Sequence, residues 1–323
     1  MNLIFIGSSA FGVPTLRILV GQKRHRLIWV ITQPDSRKGR GLKDLAISPV
    51  KAEALTHALE VWQPKSINEL SFISQLRDKK PDLIIVAAYS QKLGREILNL
   101  PAFGCINIHP SLLPKYRGSA PVNYAILNGD KQTGVSIIRM AEKMDAGPIL
   151  KQVAMDIKDD ETAAELDGRL AMESALVMES LLDNIENKDV KDMPQDETGV
   201  TFAPKLKKAD GEIDWIRPAR EIINQIRAMQ PWPGAYTYYN PAEKEPLKID
   251  ILQAHLNINE GGQSYKPGTI AGITNNEMII SCGESQALSI MGVKPAGSRV
   301  LTSREFINGY RLRIGDSFGK EVK

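Results

Sequence analysis

The first half of the chain alternates short apolar runs with longer stretches that have helical spacing. The apolar runs lie at Leu3–Ile6, Leu27–Thr32, Leu83–Ala88, Cys105–Ile108 and Val135–Arg139. Short apolar runs between turn residues are typical of strands that are buried on both faces. Their alternation with helices predicts an α/β domain with a mostly parallel, Rossmann-like sheet. Ligands of such sheets bind beyond the carboxyl ends of the strands, so we expect the chemistry in the loops that follow these runs.

Two helices of this first half carry start signals. Ser48 followed by Pro49 predicts an N-cap and a first turn, with the helix running to about Leu59. Thr162 with Glu165 three residues later forms a capping box, which predicts a long helix that ends near residue 187.

The pattern changes after this long helix. A polar, proline-containing stretch at 189–208 predicts a linker. Beyond it, short strand-like segments are separated by Gly, Pro and Asn turns, which favours a smaller, OB-like β-barrel. These segments are Tyr236–Tyr239, Leu247–Ala254, Gly268–Ile273, Met278–Ser281 and Ala287–Val293. The predicted domains are therefore 1–188 and 209–323, joined by 189–208.

The composition narrows the class of protein. Hydrophobic residues make up 42% and charged residues 24%, as in ordinary globular proteins. Cys105 and Cys282 lie far apart and fit neither a disulfide framework nor a zinc site. The apolar start has no basic leader, and no run is long enough for a membrane helix, so we expect a cytoplasmic protein without a metal. The net charge of +3 arises after Lys205, a weak sign of a polyanionic partner.

The densest cluster of polar residues follows the fourth apolar run. Asn107 and His109 alternate with Ile106 and Ile108, so on a strand they point to the same side. Asp145 lies downstream in a Met-Asp-Ala-Gly loop. An imidazole, a carboxylate and a carboxamide suit acyl transfer to an amine, because they can move protons and bind an oxyanion. A histidine at a strand end is also a common structural feature, so spacing alone leaves both interpretations open.

The stretch HPSLLPKYRGSAP, which begins at His109, resembles the signature of the folate-dependent formyltransferases. The resemblance implies that Asn107, His109 and Asp145 are the catalytic trio. It also implies 10-formyltetrahydrofolate as the formyl donor and no metal. In that mechanism Asn107 and protonated His109 stabilise an oxyanion, while Asp145 sets the charge on the imidazole.

The resemblance extends along nearly the whole chain to the members of this family whose acceptor is methionyl-tRNA. It is carried by Phe5-Ile-Gly-Ser-Ser-Ala-Phe-Gly-Val-Pro, Thr32-Gln-Pro-Asp, Gly39-Arg-Gly, Ser48-Pro-Val-Lys, Thr201-Phe-Ala-Pro-Lys-Leu, Ile213-Asp-Trp and Pro231-Trp-Pro. It implies formylation of the α-amino group of initiator methionyl-tRNA, for translation initiation, by a monomeric enzyme. The alternatives are formyl transfer to another amine, such as a sugar nucleotide, and a non-catalytic folate- or tRNA-binding protein.

The family places the folate along the loop after Leu83–Ala88 and beside the signature. The residues carried over are Ala88, Tyr89, Ser90, Gln91, Ser111, Leu112, Leu113 and Pro114. The chain departs from the family there in two ways. Ser90 stands where a glycine is usual, and the proline that the family has a few residues later is missing from the stretch that ends at Gly94. Recognition through backbone groups would tolerate these changes.

Basic residues give the candidate tRNA contacts. The stretch from Arg37 to Lys43 holds four cations and two glycines, which by itself fits a solvated surface loop. In the family this insertion reaches the tRNA acceptor stem, which implies contacts centred on Arg40 and a mobile loop without tRNA. The implied contacts in the first domain are Arg37, Lys38, Arg40 and Lys43. Those beyond it are Lys205, Lys207 and Lys208, with Arg299, Arg304, Arg311 and Arg313 as further candidates. Two tryptophans, Trp215 and Trp232, are expected in the core rather than in base stacking.

Overall fold

A computed structural model describes residues 1–38, 44–241, 245–257, 265–274 and 277–321. The chain forms two compact units. The first consists of Met1–Pro121, Gln132–Asp156 and Leu166–Pro204, and the second of Val122–Lys131, Ile157–Glu165 and Lys205–Lys323. Part of the predicted linker, 189–204, belongs to the first unit, and the predicted domain boundaries stay a prediction. Within the described ranges, no helix is long and apolar enough to cross a membrane.

The first unit is built on a seven-stranded sheet with the order β10-β9-β7-β6-β1-β2-β5. The strands are β1 (Asn2–Gly7), β2 (Arg26–Ile31), β3 (Ser36–Lys38), β4 (Asp44–Ala46), β5 (Val61–Trp62), β6 (Leu83–Ala87), β7 (Cys105–His109), β8 (Arg117–Gly118), β9 (Gln132–Arg139), β10 (Ile149–Asp156) and β11 (Phe202–Ala203). The helices are α1 (Val13–Gly21), α2 (Pro49–Thr56), α3 (Leu70–Asp78), α4 (Arg95–Leu98) and most of α6 (Ala163–Glu186), whereas α5 (Pro121–Leu127) belongs to the second unit except for its first residue.

The five apolar runs of the sequence are the central strands of this sheet. Strands β5, β2, β1, β6 and β7 run parallel, whereas β9 and β10 pair antiparallel at one side. The predicted Rossmann-like α/β fold is therefore confirmed. Because the chain leaves β1 toward β2 on one side and β6 on the other, the switch in strand order lies between β1 and β6. This is the position at which such sheets bind ligands.

Both helix-start signals are confirmed in the structure. The Ser48 side chain accepts a hydrogen bond from the Lys51 amide at 3.0 Å. The Thr162 amide donates to the Glu165 carboxylate at 2.9 Å, and α6 begins at the next residue. Helix α2 ends at Thr56, earlier than predicted, because Ala58 has a positive φ of 51° that breaks the helical path.

The second unit contains a curled antiparallel sheet, helix α5 and two further described helices. The order of the sheet is β14-β15-β16-β13-β12-β18, with β17 paired to β16. The elements are α7 (Ala219–Ala228), β12 (Ala235–Tyr239), β13 (Leu247–Asn257), β14 (Ile270–Ile273), β15 (Met278–Ser281), β16 (Ala287–Pro295), β17 (Leu301–Thr302), α8 (Ser303–Tyr310) and β18 (Phe318–Gly319). A bridge between Thr269 and Ser317 joins the two ends of the sheet, as a small barrel requires. The predicted OB-like character is confirmed at this level.

One of the two tryptophan predictions was wrong. Trp215 is buried, and its indole Nε1 donates to the Thr237 hydroxyl at 3.0 Å. Trp232 is 49% exposed. It lies between Pro231 and Pro233 in the turn after α7, where no helix or strand turns its side chain toward the core.

Candidate active site

The ends of β6 and β7 lie side by side at the carboxyl edge of the sheet. Val86 pairs with Asn107 and Ala87 with Ile108. The loop that begins at Ala88 and the polar end of β7 therefore follow neighbouring strands. This register brings the predicted folate loop to the same edge as the predicted catalytic residues.

The structure brings Asn107, His109 and Asp145 together. The Asn107 Nδ2 donates to Asp145 Oδ1 at 3.4 Å, and Nδ1 of His109 lies 3.8 Å from Asp145 Oδ2. Only 3% of His109 is exposed, and the Asp145 side chain is 11% exposed. A carboxamide, an imidazole and a carboxylate thus meet at a strand end, where the imidazole and the carboxylate are largely shielded from solvent.

The two ring nitrogens of His109 have different surroundings. Its Nε2 lies 2.9 Å from the carbonyl oxygen of Tyr116, which can only accept, so Nε2 carries a hydrogen. Its Nδ1 faces Asp145 at a distance beyond a hydrogen bond. Nδ1 is therefore the ring atom that is available to a reacting group.

The charge state of His109 is set by opposing effects. Burial lowers the pKa of His109 from its ordinary value, while the Asp145 carboxylate and the Tyr116 carbonyl act in the opposite direction. Burial is the largest of these effects, so it favours the neutral form of the ring at rest. The protonated ring that the family resemblance implies for the reaction stays a prediction.

The loop of residues 141–148, called the catalytic loop below, holds Asp145 in an unusual backbone conformation. Asp145 has a positive φ of 51°, and its Oδ2 accepts a hydrogen bond from the Gly118 amide at 2.9 Å. A side chain at Gly147 would clash with the Arg139 carbonyl oxygen, which explains the glycine of the Asp-Ala-Gly signature. The carboxylate is thereby directed at the end of β7.

Two residues that contact the site, Gln195 and Glu197, were not predicted from the sequence. The Gln195 Nε2 donates to the carbonyl oxygens of Asp145 at 2.8 Å and of Gly147 at 2.7 Å. The buried Arg117 in turn bonds both Gln195 and Glu197. Arg117 stands inside the recognised signature, which was a usable signal. Gln195 lies in a polar stretch that was predicted as linker, where no pattern distinguished it.

The first predicted folate stretch, Ala88–Gln91, combines exposed and structural residues. Ala88 is exposed with a positive φ of 49°, and Ser90 is exposed and accepts a hydrogen bond from the Gln33 amide group. Gln91 is structural, because its side chain accepts from the Ile67 amide at 2.8 Å. The Tyr89 hydroxyl is buried without a hydrogen-bond partner among the described residues, and burial raises the pKa of Tyr89 to about 12.

The second predicted folate stretch, Ser111–Pro114, directs most of its polar groups inward. The Ser111 hydroxyl donates to the Lys115 carbonyl at 2.7 Å, and the Leu113 amide donates to the Ser136 hydroxyl at 3.1 Å. Leu113 is buried, while Leu112 and Pro114 are half-buried. The half-buried pair is the part of this stretch that offers surface to a ligand.

The predicted tRNA contacts are placed only in part. Arg37 and Lys38 lie in β3, which pairs antiparallel with β4. Arg40 and Lys43, and with them the expected mobile loop, lie outside the described residues. In the second unit, most of the candidate cations are exposed, whereas Arg299 is paired with Glu305 at 2.7 Å. The exposed cations are Lys205, Lys207, Lys208, Arg304, Arg311 and Arg313.

Within the described residues, one group of side chains has metal-ligand spacing. His25, Asp183 and Glu186 offer ligand atoms within 4.8 Å of one another. The Met1 amine lies 3.3 Å from Glu186, and Arg24 lies 2.8 Å from Asp183. These cations already neutralise the carboxylates. His25 directly precedes β2, and Asp183 and Glu186 lie near the end of α6, so the group is at the amino edge of the sheet, away from the end of β7.

Both units match known families. Residues 1–181 match the formyl transferase family, and residues 205–311 match the formyl transferase C-terminal domain. The two matches together cover most of the chain, including the residues of the catalytic trio.

Several known proteins are similar to this chain along its whole length. A methionyl-tRNA formyltransferase of Acetivibrio thermocellus is 38% identical over 320 residues, which cover 99% of this chain and 100% of the relative. A methionyl-tRNA formyltransferase of Caldanaerobacter subterraneus is 39% identical, with 98% and 99% covered. The Bacillus subtilis methionyl-tRNA formyltransferase is 37% identical, with 98% of each chain covered.

Solved structures share the fold at low sequence identity. A sugar 3N-formyl transferase, solved in the presence of dTDP and 5-N-formyl-THF, has a TM-score of 0.63 at 18% identity and covers 93% of this chain and 99% of its own. HypX from Aquifex aeolicus, solved in complex with tetrahydrofolic acid, has a TM-score of 0.60 at 18% identity. It covers 98% of this chain and 48% of its own. These similarities support the architecture of both units.

Proposed function

Since this chain belongs to the methionyl-tRNA formyltransferase family, we propose that it transfers a formyl group from 10-formyltetrahydrofolate to the α-amino group of initiator methionyl-tRNA. The product would be formylmethionyl-tRNA for translation initiation. The observation that supports this most directly is the convergence of Asn107, His109 and Asp145 at the carboxyl edge of the sheet. We place this activity in the cytoplasm, where initiator tRNA is used for translation, and we expect the protein to act as a monomer.

Proton transfer in this reaction begins at the acceptor amine. The neutral amine attacks the formyl carbon, and its nitrogen becomes positively charged as the new bond forms, so it must lose one proton. The Nδ1 lone pair of His109 takes that proton. It then delivers the proton to the folate nitrogen as the bond from that nitrogen to the formyl carbon breaks. The products are a formamide and tetrahydrofolate, and no proton is left over.

The tetrahedral intermediate between these two steps carries a negative oxygen. Asn107 offers amide hydrogens beside His109, and its Nδ2 is held near Asp145 by a long bond of 3.4 Å. A donor that is positioned before the reaction stabilises the oxyanion without reorganisation, which is typically worth about 3–4 kcal/mol. We assign Asn107 to this role.

Asp145 supports the imidazolium that forms when His109 accepts a proton. Its Oδ2 lies 3.8 Å from Nδ1, close enough for attraction but too far to tie up the nitrogen. The Gly118 amide fixes the carboxylate at 2.9 Å. Asp145 therefore lowers the cost of charging a buried ring without blocking its reactive atom.

The folate would lie along Ala88–Gln91 and Ser111–Pro114. These stretches follow the neighbouring strands β6 and β7 beside the strand switch. The exposed Ala88 and Ser90 and the half-buried Leu112 and Pro114 offer the contact surface. Structures of the same fold that were solved with folate ligands support a folate site in this architecture.

The tRNA would be bound through cations of both units. Arg37, Lys38, Arg40 and Lys43 form one group, and the exposed Lys205, Lys207 and Lys208 a second. Lysine and arginine contacts with phosphates supply most of the sequence-independent affinity for nucleic acids. Binding should therefore weaken steeply as salt is raised.

The test is transfer of labelled formyl from 10-formyltetrahydrofolate, with three acceptors offered in parallel. These are methionyl-tRNA, glycinamide ribonucleotide and a dTDP-linked amino sugar. We expect product on methionyl-tRNA alone. Product on the amino sugar alone would overturn the proposed acceptor while leaving the catalytic trio standing. Folate binding without transfer to any acceptor would favour a non-catalytic protein.

A further inference from the structure

We infer that Gln195, held by Arg117, is a positioning residue that fixes the catalytic loop and so aims Asp145 at His109. The inference rests on the proposed function, because it assigns Gln195 a role in the same reaction. Gln195 lies 50 positions from Asp145 in the chain and touches the loop only through backbone oxygens.

The Gln195 side chain bridges two positions of the catalytic loop. Its single NH2 group donates to the carbonyl oxygens of Asp145 at 2.8 Å and of Gly147 at 2.7 Å. The two carbonyls lie on either side of Ala146 and Gly147, so one amide group fixes the backbone at both ends of this dipeptide. Because Asp145 has a positive φ, this backbone is held in a conformation that a free loop would seldom adopt.

Arg117 fixes the other end of Gln195. Its Nε and NH2 group donate to the Gln195 Oε1 at 3.1 and 2.8 Å, so the acceptor oxygen is held by a two-pronged contact. Arg117 is 2% exposed, and its NH2 group also bonds Glu197 at 2.7 Å. The orientation of the Gln195 amide is thereby determined, with its oxygen toward Arg117 and its nitrogen toward the loop.

Glu197 connects Arg117 to the catalytic loop a second time, because it also bonds Lys143 of that loop at 3.2 Å. Arg117 and Lys143 hold the pKa of Glu197 at about 2, so its charge is constant over the working range of pH. The next residue after Arg117 is Gly118, whose amide binds the Asp145 carboxylate. The backbone and the side chain of Asp145 are thus both positioned from the segment 117–118.

The first test replaces Gln195 in the full-length protein and measures single-turnover formyl transfer to methionyl-tRNA. For Gln195→Ala we expect kcat to fall about 10- to 100-fold, the loss typical of a misplaced catalytic group. The KM for methionyl-tRNA and the Kd for the folate should stay within about twofold, because Gln195 contacts neither predicted site. Gln195→Glu keeps the acceptor for Arg117 but removes the NH2 donors, so it should lose kcat as well. Because Gln195→Glu leaves no cavity, a loss of kcat in this variant shows that the NH2 donors are needed.

The matched control is Asp192→Ala. Asp192 lies in the same segment and pairs with Arg139 at 2.8 Å, but it does not bond the catalytic loop. Its kcat should equal that of the unaltered protein. An equal loss in Asp192→Ala would show that the segment acts through general stability, and it would overturn the inference.

The decisive test combines Gln195→Ala with Asp145→Ala. If Gln195 acts through Asp145, adding Gln195→Ala to the Asp145→Ala protein causes no further loss, whereas independent effects multiply. Multiplication would overturn the inference. Failure of the proposed function would be seen separately, as absence of transfer by the unaltered protein. In that case amide hydrogen exchange of residues 141–148 still tests the inference. If Gln195 fixes the catalytic loop, exchange should be faster in Gln195→Ala and not in Asp192→Ala.

Discussion

Two buried histidines lie at opposite edges of the same sheet, and they are used differently. His25, before β2, and His109, at the end of β7, are each 3% exposed and each lie near carboxylates. The Nε2 of His25 lies 3.0 Å from Asp183, and its Nδ1 lies 3.4 Å from the Met1 amine. His109 has one engaged nitrogen and one nitrogen without a short bond. Burial beside an acid is thus common to both, and the ring nitrogen without a short bond distinguishes His109, the proposed base.

The largest effect should come from His109→Ala. Removal of the base that takes the amine proton should lower kcat at least about a hundredfold, because positioned proton transfer typically contributes that much. The folate Kd and the thermal unfolding curve should change little. Single-turnover formyl transfer measures the loss. Near-normal turnover would show that His109 is structural, like His25.

A smaller effect on rate is expected for Asp145→Asn, together with a change in pH dependence. Asp145 raises the pKa of His109 against the larger effect of burial, so its neutralisation should lower that pKa further. The groups that face the ring are the Asp145 carboxylate and the Tyr116 carbonyl. NMR titration of the His109 ring should therefore show its midpoint moved to lower pH, with kcat reduced about tenfold or more. A midpoint moved to higher pH would contradict the assignment.

His25→Ala should lower the stability of the fold and leave the rate of formyl transfer nearly unchanged, the opposite of what we expect for His109→Ala. The substitution leaves Asp183 without its buried partner, so we expect a loss of about 1–3 kcal/mol in the free energy of unfolding. Urea denaturation measures this loss. Formyl transfer by the folded protein should stay within about twofold. A large fall in kcat at unchanged stability would mean that the amino edge also takes part in the reaction.

The smallest effect is expected for Arg24→Ala, at the surface of the same cluster. The Arg24 side chain is 60% exposed and pairs with the half-exposed Asp183 at 2.8 Å. Exposed ion pairs contribute about 0–1 kcal/mol, so the urea midpoint should shift only slightly, and less at high salt. A loss equal to that of His25→Ala would show that the cluster acts as one unit.

Much of the first unit could be predicted because its signals are local. The apolar runs that form β1, β2, β6, β7 and β9 could be identified in the sequence, because strands buried on both faces need continuous apolar side chains. The trio was also accessible, because two of its members share a strand end and the third lies in a glycine loop. Spacing alone left His109 ambiguous, and the motif around it supplied the rest.

The parts that were missed depend on tertiary contacts. Gln195 bonds backbone oxygens that lie far away in the sequence, and such a contact leaves no periodic pattern. The structural roles of Ser111 and Gln91 could not be predicted either. In a sequence, a polar side chain that bonds its own loop looks the same as one that binds a ligand. Trp232 was misplaced for a related reason: an apolar residue between two prolines gives no period that indicates a face.

The closed sheet of the second unit has a consequence for solubility. The Phe318 amide donates to the Gly268 carbonyl at 2.7 Å and the Ile270 amide to the Asp316 carbonyl at 2.8 Å, around the bridge that joins the two outer strands. Outer strands with unpaired amides and carbonyls can add strands from other molecules and so start aggregation. Here those groups bond one another. Removal of residues 317–323 would delete β18 and leave the side of β12 that pairs with it, and the Gly268 carbonyl, without these partners. Self-association would be the result.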